Sequence, residues 1–201
     1  MTLFTRSLAA LGLTACAALA HAAAIDTTWT NWKKDNVTNV TGTLTLASGP
    51  VKVKYVGPNS FFKQFGAEGD RDYWTFGNPN AYKETGRPKG TDVLGFMGGT
   101  GTSTYKITFS VPVKDPVIAI LSLGNPDTPA HYVFRQTPTL LSSGVGFYGG
   151  CADCLQVDGK TVIGTEGHGV VQFIGTFSSI SWTDADWENW HGIQVGAPVD
   201  Q

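Results

Sequence analysis

VDGKTVIGTEGHGVVQFIGTFSSISWTDADWENWHGIQV, residues 157–195, is the stretch from which the fold is read. Short apolar-alternating runs in it are separated by Gly, Ser and acidic turns, the pattern of consecutive antiparallel strands. The same rhythm continues upstream. Tyr105, Ile107, Phe109 and Val111 alternate with Lys106, Thr108 and Ser110, the period-2 signature of a strand with one face in the core. Residues 117–123, VIAILSL, are almost continuously apolar, as expected of a strand that is central or buried on both sides. Between them Pro112 and Pro116 bracket a turn, and GNPDTP at 124–129 is turn chemistry because Pro presets φ and Asn or Asp caps the backbone locally.

Further towards the N-terminus, residues 25–32 and 36–47 alternate as strands, and Val51, Val53 and Tyr55 share a face opposite Lys52 and Lys54, a half-buried strand with a solvated lysine edge. Residues 57–92 differ. They are rich in Gly, Pro and Asn, without sustained period, yet they carry Phe61, Phe62, Phe65, Tyr73, Trp74, Phe76 and Tyr82. A connection longer than about 15 residues is usually functional or disordered, and the aromatic content argues against disorder. The expectation is an ordered insertion packed on one face of the domain, with a short strand at 73–76. No segment outside the N-terminal leader shows ten or more residues of helical spacing, so the fold class expected is all-β, an antiparallel β-sandwich or jelly roll.

The leader itself, residues 1–24, has a basic start at Arg6, an apolar Ala/Leu run and small residues around His21, the layout of a secretory signal peptide. The run is shorter than the roughly 20 residues of a membrane span. Leu13-Thr14-Ala15-Cys16 resembles a lipobox, so lipidation at Cys16 is the alternative to free secretion. Residues 25–201 then form one β domain. With 14 basic and 16 acidic side chains and a formal charge of −2, the chain lacks the basic footprint expected of a nucleic-acid partner. Its charged fraction of 15% suits an exported β protein with a polar, uncharged surface. Cys151 and Cys154 remain after leader removal, and in an exported chain such a pair is expected as a disulfide.

The second half resembles the exported β domains of Gram-negative bacteria that carry a PEP-CTERM sorting signal. The resemblance rests on FSVPVKDPVIAILSLG (109–124), TEGHGVVQFIGTFSSISW (165–182) and ENWHGIQVG (188–196). It implies a secreted β-sandwich, and no particular reaction. Because the chain as given stops at Gln201 without a Pro-Glu-Pro motif, the expectation is a protein without surface anchoring.

Function is expected from the turn in the opening stretch. Asp184, Asp186, Trp187, Glu188 and Trp190 cluster there, and indoles beside carboxylates are what a sugar needs, its apolar face stacking while its hydroxyls hydrogen-bond. Tyr73 and Trp74 in the insertion are a candidate second half of that ligand-binding face. The competing reading puts the Trp residues in the core and the acids on a solvated turn. Glu68, Asp70 and Asp72 are candidate Ca²⁺ ligands, with no cofactor otherwise required. Glu166 and His168, flanked by glycines, read as a tight turn. No Gly-x-Ser-x-Gly or phosphate loop occurs, so no catalytic residue is assigned. Three functions are carried forward: a secreted non-catalytic binder of glycans or another extracellular polymer, a polysaccharide hydrolase or lyase using the 184–188 acids, and an extracellular matrix protein. Oligomeric state is left open.

Overall fold

The computed structural model describes residues 24–34, 39–58, 60–63, 72–76, 78–88, 93–97, 99 and 104–201. Residues 1–23 of the expected leader 1–24, with Cys16, and the candidate calcium ligands Glu68 and Asp70 lie outside them. Among the described residues the regular structure is strand, with a single 3-10 turn at Lys83–Thr85 and no α-helix. Two antiparallel sheets form, confirming the all-β class. One contains, in order across it, β10 (Thr139–Ser143), β13 (Gly167–Gln172), β8 (Val117–Leu123), β15 (His191–Pro198), β6 (Val93–Phe96) and β5 (Ser60–Lys63), with β1 (Thr27–Trp29) pairing the far end of β15. The other runs β11 (Leu155–Asp158), β12 (Thr161–Gly164), β9 (Ala130–Phe134), β14 (Thr176–Asp184), β7 (Thr104–Lys114), β4 (Gly49–Val56), β3 (Asn39–Leu46) and β2 (Asn31–Lys34).

The inner faces meet in one apolar core. Leu94, Phe96, Ile118, Ile120, Val171 and Ile193 from the first sheet pack with Val53, Tyr55, Ile107, Phe134, Ile180 and Trp182 from the second, the arrangement of a β-sandwich. The 25–32 run is divided at Thr30, whose N–H and hydroxyl both donate to the Val195 carbonyl, at 2.9 and 2.8 Å. β1 and β2 thereby join opposite sheets.

The first sheet is covered on its outer face as well. Trp74, Ala81 and Tyr82 form a second buried cluster with Val93, Val117, Ala119, Leu121 and Val170. β8 is therefore buried at every position, with Val117, Ala119 and Leu121 under the insertion and Ile118, Ile120 and Leu123 in the sandwich core. This is the physical meaning of the unbroken VIAILSL run. The insertion is ordered differently from expectation in one respect: residues 73–76 are a turn rather than a strand, held by Asp72, which accepts from the Trp74 N–H at 2.8 Å and the Thr75 hydroxyl at 2.9 Å. Among its described residues the strand is β5, paired with β6.

β4 also departs from the sequence reading. It lies between β3 and β7, so Lys52 and Lys54 face solvent from an interior strand rather than from an edge. The expected disulfide joins Cys151 to Cys154 in the loop between β10 and β11.

Candidate functional site

Three connections converge at one end of the first sheet. The 185–190 turn links β14 to β15, the 124–129 turn leaves β8, and Glu166 precedes β13. Gly99 approaches the first of these so closely that a Cβ would collide with the Asp184 backbone, and its N–H donates to the Asp186 carbonyl at 2.6 Å. Between the connections lies a cleft of about 460 Å³. Tyr148, Trp187 and Trp190 give it aromatic walls. Ser122, Asn125, Glu166, Glu188 and Asn189 give it polar ones, with no lysine or arginine among the described residues that line it.

The backbone around it is unusual. Ser122 and Glu166 have φ of 58° and 64°, a left-handed conformation uncommon for residues with a Cβ and concentrated at functional sites. They sit at the irregularity where the β13–β8 register shifts between Gly167 and Gly169, and they bond to each other, the Ser122 hydroxyl donating to Glu166 Oε1 at 2.5 Å.

Each cleft glutamate is backed by a buried histidine. Glu166 Oε1 lies 3.2 Å from His168 Nε2. His168 Nδ1 accepts the Ser122 N–H at 3.2 Å, which places the ring proton on Nε2, donating to Glu166. Tyr82, its hydroxyl 3.1 Å from both His168 Nδ1 and the Ile120 carbonyl, closes this group. On the other wall Glu188 Oε2 accepts from the Gly124 N–H at 2.9 Å and from His191 Nδ1 at 2.7 Å. His191 Nε2 is 3.2 Å from Asp184 Oδ2, close enough to interact by charge though not aligned as a hydrogen bond. Burial alone lowers the His191 pKa, but Asp184 and Glu188 outweigh it and hold the imidazole above its ordinary value. Glu188 is only 7% exposed, yet both of its hydrogen bonds end on Oε2. Glu166 likewise engages the protein through Oε1 alone. Each carboxylate thus keeps one oxygen without a partner among the described residues.

The sequence candidates separate on this geometry. Trp187, 69% exposed, lines the cleft with Glu188 and Trp190. Tyr73 stands behind them, its ring centroid 5.5 Å from Trp190, 5.8 Å from Tyr148 and 4.6 Å from Phe147. The Tyr148 hydroxyl is pushed up in pKa by burial, then by its bond to Tyr73 and by the Glu166 charge. Trp74 is fully buried edge-on against Tyr82 at 5.1 Å, so it offers no stacking face. Asp184 is buried beside His191. Asp186 accepts from the His131 N–H and ring Nδ1, both at 2.8 Å, on the side of β9. The acidic cluster of the linear sequence is therefore dispersed, with Glu188 its one member in the cleft. Among the described residues no three His, Cys, Asp or Glu side chains are placed to hold a metal ion, and Asp72 caps its own turn.

Ser122, Asn125 and Tyr148 escaped the sequence reading, which places Glu166 only in a tight turn. The available signals were Ser122 as the lone hydroxyl in VIAILSL and the two-residue spacing of Glu166 and His168, which puts both on one side of an extended chain. Compared with known protein families, with curated proteins and with solved structures, the chain matches none.

Proposed function

We propose that this protein is a secreted carbohydrate-binding β-sandwich that works by aromatic stacking and polar contacts, with the Trp187–Glu188–Trp190 cleft as its sugar site. One observation carries the reading: exposed and half-buried aromatic rings stand in the same cleft as two carboxylates that each keep an oxygen in reserve. A pyranose presents the complementary surface, apolar C–H faces and an equatorial girdle of hydroxyl donors. The buried histidines fix the two carboxylates before any ligand arrives, which lowers the ordering cost of binding.

The test is a glycan array followed by titration calorimetry on residues 25–201. Trp187→Ala, at an exposed position, should leave the melting temperature nearly unchanged while weakening binding about tenfold or more, equivalent to about 1.4 kcal/mol. A uniformly blank array would sink the proposal.

A second reading is favoured by the presence of both Glu166 and Glu188 in the cleft. Glycoside hydrolysis needs two carboxyl groups flanking the scissile bond, one protonating the leaving oxygen and one acting as base or nucleophile. Release of reducing ends from a bound polysaccharide, lost in Glu188→Gln, would convert the binder into a hydrolase.

A further inference from the structure

The outer face of the eight-stranded sheet holds a group of cations that the cleft does not use. Lys33 on β2, Lys52 and Lys54 on β4 and Lys106 on β7 all point to solvent. The pairing register aligns Lys33, Thr41, Lys54, Thr108 and Ser179 in one row across five strands. Lys52 and Lys54 lie on the same side of one strand, about 7 Å apart, and Lys33 stands two strand spacings from Lys54, roughly 9.5 Å. These separations fall within the Debye length of about 10 Å at 0.1 M salt, so the four ammonium groups reinforce one another.

No exposed acid compensates them within the five strands of that row. β2, β3, β4, β7 and β14 contain one acidic residue among them, Asp184, and it is buried. None of the four lysines takes part in an ion pair among the described residues. Asp35, between β2 and β3, lies outside the described residues. Protection of a sheet edge does not explain Lys52 and Lys54, because β4 is interior. A chain with formal charge −2 has nevertheless gathered Lys33, Lys52 and Lys54 around a concavity of about 460 Å³ in which the hydroxyl-bearing Thr41, Thr43, Thr108 and Ser110 alternate with apolar surface from Val53 and Phe109.

We propose that this face is a second binding surface, for an acidic polysaccharide whose carboxylates or sulfates pair with Lys33, Lys52, Lys54 and Lys106 while its hydroxyls meet the threonines and serine. Charge complementarity selects a polyanion, and the interleaved hydroxyls select a sugar chain. Each exposed pair is weak by itself, so binding depends on several residues of one polymer engaging together and is lost as salt screens them.

The proposal is tested by affinity electrophoresis and anisotropy titration of the full mature chain with alginate as the polyuronate, neutral dextran as the uncharged control, and single-stranded DNA and equimolar phosphatidylglycerol–phosphatidylcholine vesicles as other polyanions. Alginate is expected to bind at low salt, to release at about 0.5 M NaCl, and to be preferred over the other three. Lys52→Glu/Lys54→Glu should weaken it about tenfold or more, whereas Lys160→Glu, on the exposed β11–β12 turn, should change it less than about twofold. Lys52→Thr/Lys54→Thr keeps strand-compatible side chains and serves if the charge reversal fails to fold. Absence of alginate binding at low salt, unchanged binding in the folded double variant, or equal or tighter binding of DNA or vesicles overturns the assignment.

Discussion

His191 is completely buried, with Glu188 at 2.7 Å on one ring nitrogen and Asp184 at 3.2 Å on the other. The Tyr132 ring packs edge-on at 5.3 Å, and its hydroxyl is driven well above the ordinary tyrosine pKa by burial and by the Asp184 and Glu188 charges. Two carboxylates against one imidazole favour the imidazolium, and its folded pKa is raised. A group whose pKa is higher folded than unfolded stabilises the fold fully below its unfolded value, near 6.5, and loses that contribution as pH rises through the folded value. The melting temperature should therefore fall as pH rises above about 6.5, and more steeply in the native protein than in His191→Gln. Parallel slopes in a thermal-shift series would refute the imidazolium. Because Glu188 is a cleft wall, the same titration should weaken the proposed sugar binding as His191 loses its proton.

At the scale of elements, the irregular pairing of β13 with β8 builds one wall of the cleft. An even ladder would carry Ser122 and Glu166 in extended conformation, whereas the register shift turns both into the left-handed region and brings their side chains together. Packing keeps the arrangement in place. Gly146, in the bridged turn with Gly149, leaves no room for a Cβ, which would collide with the His168 ring. Gly146→Ala should therefore destabilise the protein by about 1–3 kcal/mol, the usual cost of overpacking. It should also weaken the proposed sugar binding by displacing the group that orients Glu166. Denaturant unfolding and calorimetry on one variant check both effects, and a stable variant with native affinity would show that the histidine does not position the carboxylate.

For the whole molecule, two apolar layers rather than one support the cleft. The sandwich core holds Ile120 and the outer cluster holds Leu121, adjacent residues of one strand facing opposite ways. Ile120→Ala and Leu121→Ala should each cost about 2–5 kcal/mol, since both delete a buried aliphatic group and leave a cavity. A sheet open to water on its outer side would make Leu121→Ala nearly silent in urea unfolding. The insertion thus stabilises the domain and, through Tyr73 and Tyr82, braces the aromatic wall and His168.

Alternation was enough to identify most of the strands, because side chains that face water and core in turn must alternate in polarity along an extended chain, but it did not reveal β5 or the break at Thr30, and the strand expected at 73–76 is a turn. The doubly buried β8 was legible for the same reason in VIAILSL, as were the disulfide and Trp187, Glu188 and Trp190 as neighbours in one turn. Tertiary structure alone decided the rest. Which acids share a cleft depends on sheet order, so Glu166 joined Glu188 from 22 positions upstream while Asp184 and Asp186 turned to other partners. A strand's own residues do not reveal its neighbours, and the lysines of β4 became part of a charged face only once β3 and β7 lay on either side. Long-range pairing places these groups, and no local pattern of residues encodes it.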